Sequence, residues 1–261
     1  MKLLSTIMWC VIALCMQACS ESSEGHIEGG IEIVEELARS QAGFTQGLFI
    51  VDGKLYESTG LYGQSSIRRF DLESGEQEVS KPLPKHLFAE GFTAQGVDKA
   101  VQLTWQEHIG IVYERASLNI LKVFEYPMEG WGISNQGEAL VMSDGSSSLY
   151  FLNPKTYQVE KKMEVTYQGR PLKQLNELEW VGDSIYANIW MSDQIAKIDA
   201  KSGIVEMLYD CSALYQPRPR DADAVLNGIA YCPEEQLFYL TGKTWKKIYK
   251  VRLMDSAQKG E

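Results

Sequence analysis

Alternating hydrophobic and polar positions recur along most of the chain, in short runs that are separated by tight turns. "QGLFIVDGKLYEST", which begins at Gln46, contains two strand-like runs around a "DG" turn, and later segments carry "QGE" or "GD" at the same place. Turn residues between runs of period two predict antiparallel hairpins. No stretch has the spacing of a long amphipathic helix, so the pattern predicts an all-β protein.

The hairpins belong to a longer repeat. Each of five segments opens with a polar residue or Trp, followed by Gly or an acidic residue, and the segments start 41 to 51 residues apart. They begin at Gln46, Glu90, Trp131, Asn176 and Asn227. A third run follows each hairpin, as in "IRRFDL" or "IAKIDA". Periods of 40 to 50 residues with about four strands each are typical of β-propellers, so we predict a propeller with five blades.

The fifth repeat contains only three predicted strands before the chain ends. "IEIVEEL", at residues 31–37, is a β-like run that precedes the first repeat. We predict that it pairs as the outer strand of the last blade, because this would remove two exposed strand edges. The alternative is a loose N-terminal strand.

The repeat places two sets of residues at one mouth of the predicted channel. The five residues that open the repeats occupy the same position in each blade, so they should form a ring. A hairpin returns its second strand to the end where the first began, which brings a second set to the same mouth. That set is Thr59, Trp105, Gly145, Trp190 and Lys243.

The predicted ring combines one carboxylate, one ammonium group, several amides and three indoles. Such a mixture suits a small polar ligand enclosed by aromatic walls. Glu90 lies in the apolar run "LFAEGFT", where burial would raise its pKa and let it donate and accept protons near neutral pH. A single Trp at a strand end usually belongs to the core or rim, and a single Asn usually holds a turn. The shared repeat phase favours a common site.

At these residues the chain is similar to the plant and bacterial glutaminyl-peptide cyclotransferases, the glutamine cyclotransferase family, which are five-bladed propellers. The matching motifs are "FTQGL", "FAEGFT", "LTW", "GWGIS", "LNELEW", "YANIW" and "LNGIAY" with "LTGK". They occur in the family's order within residues 31–252. The chain departs from the family pattern at Ala89, where Gly is common.

The resemblance implies conversion of N-terminal glutamine, in peptides or proteins, to pyroglutamate with release of ammonia. Glu90 would be the general acid and base of this reaction. Asn176, Lys243 and Gln46 would hydrogen-bond the substrate and stabilise the oxyanion, although Lys243 could instead form a salt bridge with Glu90. The walls that exclude water would be Phe44, Phe88, Trp105, Trp131 and Trp190.

The sequence lacks the usual signatures of a metal or phosphate site. It has three histidines and contains no HExxH, Cys cluster, GxSxG or phosphate loop. The family type implies catalysis without a metal or cofactor. Two rival hypotheses remain: a propeller lactonase or hydrolase that holds calcium, with Glu177 and Asp144 near the ring, and a non-catalytic propeller that binds peptides or glycans.

The net charge of -10 argues against a nucleic-acid partner, because no basic run could displace phosphate counterions. A monomer is expected. Two cysteines, Cys211 and Cys232, lie within the predicted fold, and either a disulfide or two buried free thiols would suit them.

The N-terminus resembles a bacterial lipoprotein signal. Residues 1–18 combine a short positive start with a hydrophobic run, and Cys19 would be the acylated first residue of the mature protein. Residues 19–30 have the composition of a flexible tether, 31–254 form the predicted catalytic propeller and 255–261 a tail. These segments predict a lipid-anchored protein of a bacterial cell envelope, facing the periplasm or the surface. Plain secretion is the alternative.

Overall fold

The computed structural model describes residues 28–39, 41–216 and 221–255. These residues form strands, turns and irregular segments, and none of them lies in a helix, which confirms the all-β prediction. No helix of this described part is therefore available to cross a membrane. The predicted leader, Cys19, residues 19–27 of the tether and residues 256–261 of the tail lie outside the described residues.

The strands are β1 (Glu28–Ala38), β2 (Thr45–Val51), β3 (Lys54–Thr59), β4 (Ser66–Asp71), β5 (Gln77–Pro82), β6 (Ala89–Gln95), β7 (Lys99–Thr104), β8 (Ile109–Glu114), β9 (Asn119–Glu125), β10 (Ile133–Gln136), β11 (Ala139–Ser143), β12 (Ser148–Leu152), β13 (Val159–Glu164), β14 (Thr166–Tyr167), β15 (Arg170–Pro171), β16 (Leu175–Val181), β17 (Ser184–Ile189), β18 (Gln194–Asp199), β19 (Val205–Asp210), β20 (Leu226–Cys232), β21 (Leu237–Gly242) and β22 (Lys247–Met254).

The first three repeats each form a four-stranded antiparallel sheet in chain order. These sheets are β2 to β5, β6 to β9 and β10 to β13, and β14 and β15 form a small hairpin after the third. The fourth and fifth repeats share one eight-stranded sheet in the order β16-β17-β18-β19-β1-β22-β21-β20. Strand β1 lies at the middle of this sheet and joins its two halves.

Strand β1 closes the last repeat, as the sequence predicts. It pairs antiparallel with β22 from Gly30 opposite Met254 to Ala38 opposite Lys247. It begins at Glu28, three residues before the predicted start at residue 31, because Glu28 and Gly29 also pair in parallel with β19. Residues 28–30, which the sequence assigns to the tether, therefore belong to the sheet.

The first strands of the five repeats contact one another in a closed order: β2 with β6, β6 with β10, β10 with β16, β16 with β20 and β20 with β2. Glycines permit this close approach. A Cβ atom on Gly47 would lie 2.2 Å from the backbone nitrogen of Phe92, and one on Gly91 would lie 2.5 Å from that of Ile133. The glycine at the second position of these repeats is thus required, because the backbone of the next repeat leaves no space for a side chain.

The fourth repeat carries Glu177 at the position of that glycine. One carboxylate oxygen of Glu177 accepts a hydrogen bond from the backbone N–H of Leu48 at 3.1 Å, and the other accepts from Ile229 N–H at 2.7 Å. Strands β2 and β20 each pair with a neighbour on one side only, so these N–H groups would otherwise be buried without acceptors. Glu177 therefore links three repeats, and burial raises its pKa well above the ordinary value.

Hydrophobic cores lie between neighbouring sheets. Phe49 and Tyr56 of the first sheet stack at 4.5 Å, and Phe92 of the second meets Phe49 edge-on at 5.1 Å. All three side chains are buried. This packing fixes the first strands, and hence the residues at their starts, relative to one another.

Candidate active site

The second strand of each hairpin ends beside the start of its first strand. Backbone hydrogen bonds establish this: the N–H of Trp105 donates to the carbonyl of Phe88 at 3.0 Å, and that of Lys243 donates to Val225 at 2.9 Å. The same bond joins Gly60 to Phe44 and Trp190 to Gln174. Side chains from both ends of each hairpin therefore reach one mouth of the ring.

A pocket of about 330 Å³ opens at this mouth. All nine residues of the predicted catalytic and substrate-binding sets line it, together with Leu61 and Asp223. The nine are Phe44, Gln46, Phe88, Glu90, Trp105, Trp131, Asn176, Trp190 and Lys243. The predicted residues thus form one continuous surface.

Glu90 is the buried carboxyl group of the pocket, with 5% of its surface exposed. Burial raises its pKa well above the ordinary value; the positive charge of Lys243 opposes this shift, whereas Glu129 and Glu107 add to it. The amide nitrogen of Gln46 donates to a Glu90 oxygen at 3.0 Å. Burial therefore favours the protonated form of Glu90, and the hydrogen bond from Gln46 fixes its orientation.

Asn227 determines which way the Gln46 amide points. Its Nδ2 donates to the side-chain oxygen of Gln46 at 3.1 Å and to the backbone oxygen of Thr45 at 2.9 Å. Because the Gln46 oxygen accepts from Asn227, the Gln46 nitrogen is left to face Glu90. Three repeats thus contribute to the orientation of one carboxyl group.

Lys243 is buried in the wall of the pocket. Its Nζ lies 5.0 Å from the centroid of the Phe44 ring, a cation–π contact. Burial lowers the pKa of Lys243, while Glu90 and Asp223 oppose that shift. No ion pair within 4.0 Å joins Lys243 to Glu90, both of which the structure describes, so the alternative of a direct salt bridge is wrong.

Asn176 presents a hydrogen-bond acceptor without a partner. Its Oδ1 atom is buried and accepts no hydrogen bond from the part of the chain that the structure describes. Its backbone oxygen is held separately, by the hydroxyl of Ser143 at 2.6 Å. A buried amide oxygen of this kind is costly unless a ligand donates to it.

Aromatic side chains form the walls in edge-to-face contacts. Phe88 meets Phe44 at 6.2 Å and Trp105 at 5.6 Å, and Trp131 meets Trp190 at 5.5 Å. Trp190 is the rim of this wall, with 37% of its surface exposed. The walls leave a narrow, apolar enclosure around the polar groups.

The similarity to known proteins agrees with this arrangement. A family model described as glutamine cyclotransferase matches residues 6–253. The chain is 39% identical over 235 residues to the glutaminyl-peptide cyclotransferase of Arabidopsis thaliana, covering 88% of this chain and 73% of that protein. The chain belongs to the glutamine cyclotransferase family. The crystal structure of Myxococcus xanthus glutaminyl cyclase superimposes with a TM-score of 0.82 at 32% identity, covering 88% of this chain and 99% of that one.

Family membership confirms the resemblance that the seven ordered motifs carry. It also confirms the predicted enzyme class, a glutaminyl-peptide cyclotransferase. The rival hypotheses of a lactonase or a non-catalytic binding protein are not supported. Among the described residues, no group of three or more His, Cys, Asp or Glu side chains is placed to hold a metal ion.

Three members of the predicted ring do not line the pocket: Thr59, Asn227 and Gly145. The Thr59 hydroxyl shares a 2.8 Å hydrogen bond with Ser66, and Asn227 holds Gln46 as described above. Gly145 lies under the indole of Trp131, where a Cβ atom would come within 2.6 Å of the ring. Repeat phase predicts where a residue lies along its strand, whereas local contacts decide whether its side chain reaches the pocket.

Two lining residues, Leu61 and Asp223, were missed by the sequence analysis. Both lie in loops, where hydrophobic alternation carries no information and the repeats differ in length. Leu61 has a φ of 88°, an unfavourable value for a side chain of its size.

The sequence left open whether Cys211 and Cys232 form a disulfide. In the structure both are buried free thiols.

Proposed function

We propose that the chain converts N-terminal glutamine of peptides or proteins to pyroglutamate and releases ammonia at the pocket of Glu90. The observation that carries this proposal is a buried, oriented carboxyl group with a raised pKa inside an aromatic enclosure, in a member of the glutamine cyclotransferase family. A carboxyl group that is protonated near neutral pH can donate a proton and, after losing it, accept one.

The reaction joins two ends of one residue. The α-amine lone pair forms a bond to the side-chain carbonyl carbon, the bond from that carbon to the amide nitrogen breaks, and the nitrogen leaves as ammonia. Glu90 protonates the leaving nitrogen and takes a proton from the attacking amine, so it is unchanged over one turnover. A free α-amine has a pKa of about 8, so a substantial fraction is already a nucleophile near neutral pH.

The other polar groups hold the substrate. The unpartnered oxygen of Asn176 accepts a hydrogen bond from a substrate N–H. The ammonium group of Lys243 stabilises the oxyanion that forms on the amide oxygen. Gln46 keeps the carboxyl group of Glu90 pointed at the reacting atoms.

The aromatic walls favour the folded form of the substrate. Phe44, Phe88, Trp105, Trp131 and Trp190 enclose a volume of about 330 Å³, which suits one glutamine residue. When the pocket holds the amine against the carbonyl carbon, the substrate no longer has to sample many conformers to reach the reactive one. Excluding water protects the charges in the site from screening.

We further propose that the five repeats are the blades of a five-bladed propeller. The closed order of contacts among the first strands supports this arrangement, as does the completion of the last repeat by β1. In this arrangement the eight-stranded sheet is two neighbouring blades joined at the edge of β1.

Catalysis without a metal is part of the proposal, and one assay addresses it. The mature protein is incubated with Gln-initiated dipeptides and a chelator, and ammonia is followed by a coupled enzyme. We expect ammonia and a pyroglutamyl product at equal rates. Chelator-sensitive release would contradict metal independence, and no release from any such peptide would refute the function.

Substitution of Glu90 addresses the mechanism. Glu90→Gln keeps the shape of the side chain and removes its proton chemistry, so we expect kcat to fall by about 10²- to 10⁴-fold. Glu125→Gln, at an exposed carboxylate on β9, is the control and should match wild type. A Glu90→Gln protein that folds and retains most of its turnover would remove Glu90 from the mechanism.

We propose that the mature protein is a monomer anchored to a bacterial envelope membrane through a lipid on Cys19. Detergent partitioning of the full-length protein tests this, with Cys19→Ser as the matched variant. We expect wild type in the detergent phase and the variant in the aqueous phase. Equal partitioning would refute the anchor, and size-exclusion chromatography of the mature protein tests the monomer.

A further inference from the structure

Glu129 lies beside the pocket but has no part in the reaction as proposed above. It belongs to the loop between β9 and β10, outside the repeat phase. One of its oxygens accepts hydrogen bonds from two indoles, Trp105 Nε1 at 2.8 Å and Trp131 Nε1 at 3.0 Å. Its other oxygen accepts from the side-chain nitrogen of Gln106 at 3.1 Å. We call Glu129 with Trp105 and Trp131 the indole clamp.

The indole clamp joins walls from two repeats. Trp105 ends the second hairpin and packs edge-on against Phe88, whereas Trp131 opens the third repeat and packs edge-on against Trp190. Glu129 is the polar link between these two aromatic pairs. Because an indole has a single N–H donor, both tryptophans are fully engaged and present only their ring surfaces to a substrate.

Glu129 is suited to hold a fixed negative charge. Burial would raise the pKa of its carboxyl group, but the hydrogen bonds from Trp131, Gln106 and Trp105 and the charge of His108 outweigh burial and lower it. The hydrogen bonds therefore favour the ionised form of Glu129, whereas burial favours the protonated form of Glu90. With three N–H donors on its oxygens, Glu129 is a poor proton acceptor and cannot substitute for Glu90.

We propose that Glu129 is a positioning residue for cyclisation: it fixes the angle between the Trp105 and Trp131 walls and places a permanent negative charge beside Glu90. This inference rests on the proposed function. Glu129 would act in two ways: its hydrogen bonds orient the two indoles, and its charge acts on Glu90. The charged groups that act on Glu90 are Lys243, which lowers its pKa, and Glu129 and Glu107, which raise it.

Three variants separate geometry from charge. Glu129→Asp keeps the charge but is one methylene too short to reach both indoles, and Glu129→Gln keeps the length but loses the charge. Glu129→Ala loses both. Glu107→Gln is the matched control, because Glu107 also raises the pKa of Glu90 but accepts from Tyr62 and Phe88 and from no indole.

NMR spectroscopy of a ¹⁵N-labelled protein measures the clamp directly, through the indole N–H resonances. The variants Trp105→Phe and Trp131→Phe assign these two resonances, because each removes one of them. We expect both resonances to move upfield in Glu129→Ala, at least one to move in Glu129→Asp, and neither to move in Glu107→Gln. We expect kcat/KM for a Gln dipeptide to fall by about ten- to a hundredfold in Glu129→Asp and Glu129→Ala, since small displacements of a wall misplace the reacting atoms.

The pH profile of kcat reports the charge. Removing a negative charge lowers the pKa of Glu90, so the limb that reports Glu90 should move to lower pH in Glu129→Gln and in Glu107→Gln, and should stay in place in Glu129→Asp. Unchanged indole resonances in Glu129→Ala, or wild-type kcat and KM in both Glu129→Asp and Glu129→Ala, would overturn the inference. Absence of ammonia from the wild type would instead refute the function, while the resonances would still test the clamp.

Discussion

Replacing Glu177 tests whether its carboxyl group holds the inner edges of the repeats together. In Glu177→Gln the single amide oxygen can accept from only one of the two N–H groups, those of Leu48 and Ile229, and the amide nitrogen faces the other as a second donor. In Glu177→Ala both N–H groups lose their acceptor. The fold around them is held by the hairpins of β2 and β20, which limits relaxation.

The expected magnitude follows from these two hydrogen bonds. A buried donor left without an acceptor costs about 1–3 kcal/mol. We therefore expect Glu177→Gln to lower the free energy of unfolding by about 1–3 kcal/mol and Glu177→Ala to lower it by about 2–6 kcal/mol. For a domain whose total stability is about 5–15 kcal/mol, either loss is large.

Urea unfolding followed by tryptophan fluorescence measures both losses, with Glu125→Gln as a surface control. Burial raises the pKa of Glu177 in the folded protein, so the stability that this group contributes is greatest at low pH and decreases as pH rises above its unfolded value. The deficit of Glu177→Gln should therefore be larger at about pH 5 than at about pH 8. Variants as stable as wild type at both pH values would refute this reasoning. They would show that burying the carboxyl group costs as much free energy as its hydrogen bonds contribute.

Three further predictions concern the same central region. Burial raises the pKa of Glu179 to about 8, against hydrogen bonds from Tyr231 and Ser134 that lower it, so wild-type stability should decrease as pH rises from about 4.3 toward 8. Glu179→Gln should flatten this slope in urea titrations; an unchanged slope would contradict the assignment. Asn227→Ala frees the Gln46 amide and should lower kcat/KM by about tenfold, the equivalent of one hydrogen bond, and an unaffected rate would show that Gln46 needs no support. Gly91→Ala, whose Cβ would meet backbone at 2.5 Å, should lose more stability than Gly53→Ala, where nothing lies within 4 Å and the cost is the strain of a φ of 66°; equal losses would contradict the close packing.

Repeat phase accounts for most of what the sequence predicts correctly. Glu90 and Asn176 occupy equivalent positions in a recurring pattern, and strands that form equivalent hairpins bring such positions to one end. The family motifs then distinguish pocket residues from others in the same phase. Thr59 and Asn227 show the limit, because they share the repeat phase, yet their side chains hydrogen-bond with Ser66 and Gln46 and do not line the pocket.

The remaining features depend on contacts between segments that are distant in the chain. Glu129 lies in an irregular loop, and only the folded structure brings the indole of Trp105 to it. Glu28 and Gly29 pair in parallel with β19, although they lie in a segment whose Gly and Glu content indicates a tether. Composition describes what an isolated segment prefers, and pairing with a ready-made strand edge overrides it.

The pairing of β1 with β22 has a consequence for how the molecule is made. Gly30 lies opposite Met254, so the earliest described strand acquires its antiparallel partner only after β22 has been synthesised. Contacts that span almost the whole sequence form slowly, and residues 30–38 of β1 wait for β22 while the intervening sheets assemble. A chain that stops short of β22 lacks the strand that pairs with both β1 and β21, so the last repeat can be completed only once β22 is available.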